Sequence, residues 1–498
     1  MSVQNAGKYI KELYAQCDSL TTKQLEEKIQ ALTEKRIEEI RNTKTEVVIK
    51  GKSFYVANDG DDSNDGLSPE KAWCTPARVT EAKKNGELCE GDGVFFKRGD
   101  LFRGMIETAN GVTYSAYGEG EKPKIYGFHQ NTGKPELWEE TDVPNVWRYT
   151  EICIWDIGSI IFNETEYARK IYRSLEVDGT QLDSGSDSKP VFNDYHDLNE
   201  DLTFWHDWAL DMPENVSGKV YLRCNAGNPG EVYGDIEFSQ RLGIFRNIST
   251  HDVTIDNIHM AHGNFGVCGL CHGETVTNCE FRWIGGSVQV APAKYSESRR
   301  FPTPYGNGIE IYGEAQDFTV DNCYFWQVYD AAMTHQCGNG DKPIHNRNVN
   351  YTNNVCEYCV YSVEIFYGES PAENRSNYGC TVENNILRLG GGFGHDSRPD
   401  KNVTALIRNG RMIQNTKDYT VRNNIFDRSR GKIIQAANDG ASKAQYYDNI
   451  YVQSNGKKFC SRLGTDYIAD ETTKDRLEET ATEHGGKFFC EEELDLMK

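Results

Sequence analysis

The chain has 498 residues, 38% of them hydrophobic, with a formal net charge of −22 and a pI near 5.0. The apolar content can fill a large core, and an acidic excess with no basic stripe argues against a nucleic-acid partner held by its phosphates. It disfavours a polyanionic glycan more weakly, because a local basic cleft overrides the global sign, and Lys294, Arg299, Arg300 and Arg398 are the side chains that would make one.

In chain order, residues 3–17 and 21–41 read as helices. The second opens on Thr21 with Gln24 three positions later, a capping box, and carries Leu25, Ile29, Leu32, Ile37 and Ile40 along one face. Residues 1–50 form a helical hairpin too short to be stable alone. It is expected to pack on the rest of the chain or to mediate homo-oligomer formation.

From residue 51 the pattern changes to short β segments. Ser53-Phe-Tyr-Val56 leads into the acidic loop Asp59-Gly-Asp-Asp-Ser-Asn-Asp-Gly66, and Gly93-Val-Phe-Phe96 follows. Asp61, Ser63 and Asp65 before Gly66 imitate the start of a calcium loop, but the bidentate Glu at the twelfth position is missing, so the loop reads as a capping turn. No cofactor or metal is expected. An insertion is placed near 160–235, around Ile160-Ile-Phe-Asn163, Phe204-Trp-His-Asp207 and Gly218-Lys-Val-Tyr-Leu222.

A short phrase then recurs. It reads Val276-Thr-Asn-Cys-Glu-Phe281, Val320-Asp-Asn-Cys-Tyr-Phe325, Tyr351-Thr-Asn-Asn-Val-Cys356, Val382-Glu-Asn-Asn-Ile-Leu387 and Val421-Arg-Asn-Asn-Ile-Phe426. The equivalent positions Cys279, Cys323, Asn354, Asn385, Asn424 and Asn449 lie roughly 25 to 45 residues apart, the spacing of a solenoid. Alternation of Val, Ile, Phe, Tyr and Thr with polar residues makes the units strands rather than helices. The reading is all-β: a right-handed parallel β-helix over 51–455, in which Asn tolerates left-handed turns and ladders from coil to coil. Residues 456–498 lose the phrase and are read as a C-terminal cap with a short helix.

Fifteen cysteines fall mostly at strand positions rather than in a spaced framework, and Cys268-Gly-Leu-Cys271 lacks the second pair that zinc would need. No apolar leader core occurs in residues 1–30, and no stretch approaches the roughly 18 consecutive apolar residues of a membrane span. The expectation is a cytoplasmic protein with reduced core cysteines and no membrane contact.

Ser53-Phe-Tyr-Val-Ala-Asn-Asp-Gly-Asp-Asp-Ser-Asn-Asp-Gly-Leu-Ser-Pro-Glu-Lys-Ala-Trp73 and Gly91-Asp-Gly-Val-Phe-Phe-Lys-Arg-Gly-Asp-Leu-Phe-Arg-Gly104 resemble the opening of bacterial right-handed parallel β-helix proteins of the pectate-lyase-like superfamily. The resemblance covers about residues 52–455. It implies that fold and a carbohydrate-active protein, and leaves lyase, epimerase and hydrolase chemistry open.

Candidate chemistry gathers in four neighbouring units: Asn307-Gly-Ile-Glu-Ile-Tyr-Gly313, Tyr329-Asp-Ala-Ala-Met-Thr-His-Gln336, Tyr361-Ser-Val-Glu-Ile-Phe-Tyr-Gly368 and Gly391-Gly-Phe-Gly-His-Asp-Ser-Arg-Pro-Asp400. Glu310 and Glu364 each sit between β-branched residues, so they point outward where their neighbours point in. Counting from the recurring phrase puts Met333, Glu364 and His395 in one column, with Glu310 upstream. The two glutamates are then two coils apart, on the order of 9 to 10 Å, and Asp330 enters the coil between them. Asp330 and Glu364 are assigned as the proton-transfer or nucleophile pair, with Glu310 third; His335, Gln336, His395, Asp396, Arg398, Tyr312 and Tyr367 are assigned to substrate contact.

The polar insertion at 289–304 precedes Glu310 and is expected to cap one end of a cleft, which favours exo action on short chains. The leading function is a glycoside hydrolase on imported oligosaccharides, resting on the carboxylates and on the lack of an obvious lysine or arginine base in those strands. A lyase or epimerase on uronate sugars would draw on His335, His395 and Arg398. A non-catalytic glycan-binding protein is the third reading.

Overall fold

The structure is a computed structural model. It describes the whole chain except residues 1–4, 173–174, 178–179, 183–191, 193, 209–216, 291–302, 338–342, 368–374, 399–403, 411–415, 437–443 and 492–498.

Its short alternating strands assemble into large, open parallel sheets, so the chain is mostly β. The strand Ile309–Tyr312 pairs in parallel with Ala331–Cys337 and that with Tyr361–Tyr367; Gln316–Asp321 pairs with Ile344–Thr352 and that with Arg375–Glu383. Tyr324–Val328, Val355–Glu357 and Ile386–Gly390 form a third stack in the same way. Every polypeptide turn thus adds one strand to each of three stacks. Between them Val267, Ile309, Met333, Val363, Ile407 and Ile434 lie in register and buried, since alternate residues of a strand share one face. The stacks do not end at residue 455: Lys458–Arg462, Glu483–His484 and Lys487–Glu491 add one more strand to each, and the helix Leu477–Ala481 is a link within that last unit.

The two asparagines of each recurring phrase do different work. The first takes the left-handed conformation that ends the strand, with φ of 58° at Asn353, 60° at Asn384 and 53° at Asn423. The second turns inward and ladders: the Asn354 backbone N–H donates to Asn385 Oδ1, that of Asn385 to Asn424 Oδ1 and that of Asn424 to Asn449 Oδ1, all at 2.9 Å. Each side-chain amide donates onward to a carbonyl of the preceding unit, such as Asn385 Nδ2 to Tyr351 O at 2.9 Å. Cys279 and Cys323 hold the equivalent places at the start of the row, where the Cys279 N–H meets Cys323 Sγ at 3.5 Å. These cysteines and Cys356, Cys359, Cys380 and Cys460 are buried and free.

After Lys124–Tyr126 the chain leaves the stacks and rejoins at Ile236–His251, which resumes parallel pairing with Ile106–Glu107. The insertion therefore begins near residue 127 rather than 160. Its strand pairs are mostly antiparallel, as Trp138–Glu140 with Val146–Tyr149 and Thr203–His206 with Val220–Arg223, with Glu166–Lys170 parallel to Thr203–His206, and Phe128, Trp138, Phe204 and Phe238 form a core of their own.

Helix α1 (Asn5–Tyr14) and helix α2 (Thr22–Asn42) bury Ile10, Leu13, Leu25, Ile29 and Ile40 against the outer face of the third stack, on Tyr324, Val355, Ile386, Ile425 and Ile450. The Thr21–Gln24 capping box is formed in both directions. Polar contacts fix the direction of α2 across the units: Glu26 meets Arg428, Gln30 meets Arg388, Arg36 meets Asn322 and Asn353, and Arg41 meets Glu280. The apolar face expected to join a second subunit is taken up by the chain's own stack, so these helices give no support to an oligomer contact. No helix among the described residues is long and apolar enough to cross a membrane.

Candidate active site

The outward positions of the first stack form a column set by strand register: Cys268, Glu310, Thr334, Glu364, Arg408 and Gln435. Glu310 and Glu364 are therefore two strands apart, with Thr334 between. The column differs from the count made on sequence. Thr334, not Met333, precedes Glu364, because the unit after Cys323 carries one more residue before its first-stack strand; Arg408, not His395, follows it, because helix Gly392–Ser397 and the residues after it lengthen the next unit.

Asp330 stands just before Ala331–Cys337 and accepts from Arg398 Nη1 at 2.8 Å. The Arg398 guanidinium also lies over the Tyr329 ring, 5.7 Å from its centroid, so its planar head is held from two directions. Glu364 accepts from Arg408 Nη1 at 2.7 Å and from Gln336 Nε2 at 3.0 Å, and only 3% of it is exposed. Arg408 in turn stacks over Tyr361 and Phe366 and donates to the Tyr361 hydroxyl. Among the described residues Glu310 has no arginine partner, and its hydrogen-bond donor is the Asn307 side-chain amide, whose oxygen accepts the Ala331 N–H at 2.8 Å and so ties Glu310 to the start of the neighbouring strand.

These surroundings set the protonation states. Burial raises the Glu310 carboxyl to about 7; the Asn307 hydrogen bond opposes this, and the charges of Glu364 and Asp330 add to it. Burial also raises Glu364 to about 7, against the pull of Arg408, with Asp330 adding to the rise and Arg398 opposing it. Three carboxyl groups thus feel one another, and among the described residues two of them have an arginine and one has none. Cys268 next in the column has its thiol pushed up to about 12, by burial first and then by Glu310, which makes it a poor nucleophile.

Other residues assigned from sequence fall in various places. His335 is 0% exposed, aligned with the inward Ile311 and Ile365, and bonded to the Tyr351 hydroxyl at 2.9 Å. It is a core residue and cannot touch a ligand on the outer face, which corrects its assignment. His395 is tied through Nδ1 to Thr404 Oγ1 at 2.8 Å. Asp396 accepts from Tyr167 of the insertion at 2.6 Å and from Arg430 at 2.5 Å, so it joins the insertion to the stacks. Gln336 orients Glu364, and Tyr312, 48% exposed, lies beside it in register. The side chain of Tyr367 lies outside the described residues, as do Lys294, Arg299, Arg300 and nearly all of the 289–304 segment; the strands at its base, Ser287–Val290 and Thr303–Tyr305, pair antiparallel.

Arg408 is the main residue that sequence reading missed, and it removes one premise, since an arginine does stand on this wall. Its signal was present: Ala405-Leu-Ile-Arg-Asn-Gly410 repeats the alternation of Ile309-Glu-Ile-Tyr312 with a cation in the glutamate's place. In the acidic loop, Asp61 accepts the Ser63 N–H at 2.8 Å, Asp62 the Cys74 N–H at 2.7 Å and Asp65 the Leu67 N–H at 3.0 Å, the bonding of capped turns.

No protein-family model matches the sequence, and no curated protein matches it. Solved structures similar in backbone include a glycoside hydrolase at 10% identity and TM-score 0.43, covering 88% of this chain and 96% of that one. The GH136 lacto-N-biosidase from Eubacterium ramulus matches at 12% identity and TM-score 0.40, over 94% of this chain and 71% of that one. The family 28 exopolygalacturonase of Yersinia enterocolitica matches at 12% identity and TM-score 0.35, over 89% of this chain and 77% of that one. At this low similarity the chemistry of the site rests on its own residues.

Proposed function

We propose that the chain is a glycoside hydrolase on a right-handed parallel β-helix, acting on the ends of short oligosaccharides in the cytoplasm. The observation that carries this reading is the unequal treatment of three neighbouring carboxyl groups. Glu310, raised to about 7 and without a cation partner among the described residues, is suited to hold a proton and give it to the departing glycosidic oxygen. Asp330, paired with Arg398 and more open than Glu364, is its partner. Glu364 stands behind them on Arg408. Separations bear on the stereochemistry: Glu364 is two strands from Glu310, on the order of 9 to 10 Å, as in inverting enzymes, whereas Asp330 stands at the start of the adjacent strand, four residues before Thr334, the residue opposite Glu310. Of the residues assigned to ligand contact, Tyr312 remains as an exposed ring for a sugar face.

Arg408 and Arg398 favour a second reading, a lyase or epimerase on uronates, because a guanidinium fork fits a sugar carboxylate. Their present engagement with Glu364 and Asp330 weighs toward the hydrolase. A screen against aryl glycosides and uronate oligosaccharides, following aryl release and ultraviolet absorbance together, separates the two. Aryl release abolished by Glu310→Gln and Asp330→Asn supports the hydrolase, retention of anomeric configuration supports Asp330 as partner, and inversion transfers that role to Glu364. An ultraviolet signal from unsaturated product refutes hydrolysis.

A further inference from the structure

A second concentration of charge lies on the third stack, away from the carboxylate column. Lys124, His259 and Glu280 are aligned there in successive strands, as are Tyr126, Ala261 and Arg282. With the end of α2 they bound a cleft of about 590 Å³ whose walls carry six lysine or arginine side chains against two glutamates. In a chain of net charge −22 this local excess needs a cause.

The two glutamates are each engaged by one cation of the cleft. Glu280 is bound to Arg41 at 2.7 Å and Glu121 to Lys124 at 3.4 Å, while Lys44 turns to Glu119 outside the cleft. Arg98, Lys122 and Arg282 have no ion-pair partner among the described residues. Lys122, 4% exposed, donates to Asn257 Oδ1 at 2.8 Å, and Arg98 donates to the same oxygen at 3.2 Å, so one amide serves two cations. Arg282 Nε and His259 Nε2 are buried with no hydrogen-bond partner among the described residues. Burial pushes Lys122 down to about 8, with Arg98 adding to the fall and Asp256 opposing it, and pushes His259 to about 4 against the pull of Glu280 and Glu164. Unpaired buried cations and unmet donors each cost free energy, and here they converge.

We propose that this cleft binds a phosphate group, free or carried by a small molecule. The walls carry Arg98, Lys122, Arg282 and His259, more N–H groups than a planar carboxylate with two oxygens can accept, which suits a tetrahedral dianion. The cleft is independent of the hydrolase reading.

The test is calorimetric titration of the full chain with inorganic phosphate and with a hexose 1-phosphate, at fixed ionic strength with chloride as the control. Saturable binding is expected, weakened roughly ten- to hundredfold in Arg282→Gln and in Lys122→Gln, the loss of one charge-assisted hydrogen bond. Lys124→Gln changes an exposed side chain at the rim, keeps the fold, and is expected to weaken binding by a smaller factor. Tighter binding of the hexose phosphate identifies a carried phosphate, and equal binding identifies the free ion. Heats no larger than chloride's, binding unchanged in the folded Lys124→Gln and Arg282→Gln proteins, or preference for a uronate over phosphate would overturn the proposal.

Discussion

Replacing Glu310 with glutamine has opposite consequences for stability and for activity. The folded-state carboxyl titrates near 7 against 4.5 for the free group, a gap of about 2.5 units or ~3.4 kcal/mol. Glu310 is half-buried, and solvent screening reduces this to ~1–3 kcal/mol. Because the value is raised on folding, the native state holds the proton more tightly than the unfolded chain. The penalty of ionising Glu310 is absent below pH 4.5, grows between 4.5 and 7, and is constant above. Glutamine never ionises and its carbonyl still accepts from Asn307. The variant is therefore expected to match wild type in urea denaturation near pH 4.5 and to exceed it by ~1–3 kcal/mol at pH 8. Hydrolysis should fall by roughly 10²- to 10⁴-fold for poor leaving groups and far less for activated aryl ones. Equal stability differences at both pH values, or destabilisation at pH 8, would refute the protonation argument; a uniform loss over all leaving groups would refute the acid role.

Arg408→Met removes the cation that holds Glu364 down, so Glu364 should titrate higher and the acid limb of the kcat/KM profile should move up by a unit or more; an unmoved limb would show that Glu364 does not govern it. Asn385→Ala deletes one rung of the ladder, leaves the Asn354 N–H and Tyr351 carbonyl unmatched, and should cost ~2–4 kcal/mol in urea unfolding, with a loss under ~0.5 kcal/mol speaking against the ladder. Asn384→Gly should be nearly neutral while Asn384→Val costs ~1–2 kcal/mol, since the position has φ of 60°; equal effects would deny the turn its role. Ile29→Glu should unseat the helical hairpin and expose it to limited proteolysis, and an unchanged cleavage pattern would contradict the packing on Val355 and Ile386.

The parallel stacking was legible because each unit spells its turn in two adjacent residues, one for a left-handed backbone and one for an inward amide. The outward direction of Glu310 and Glu364 was legible from the β-branched residues on either side, because alternation in a strand is strict. Their neighbours in the column were not. Register passes from one strand to the next through space, and a single extra residue after Cys323 or a short helix after Gly391 shifts any count along the chain. That shift hid Arg408 and gave its place to His395. His335 was misjudged because an imidazole among alternating residues suggests a surface, whereas Tyr351 supplies a polar partner inside the core. The insertion's early start was hidden because antiparallel strands have the same composition as the stacks they leave.

Helix α2 meets successive units at Glu26, Gln30, Arg36 and Arg41, in order, along about 15 residues or ~22 Å of helix. The units it spans, from Arg428 back to Glu280, are four strand spacings deep, or ~19 Å. Pitch and spacing are thus nearly commensurate, one helical turn per unit. Solenoids commonly change length by duplicating or losing a repeat. Here such a change would slide every later contact of α2 off its mark unless the helix gained or lost a turn in the same step. The hairpin acts as a ruler, and it fixes the number of coils behind the carboxylate wall more firmly than the repeat itself does.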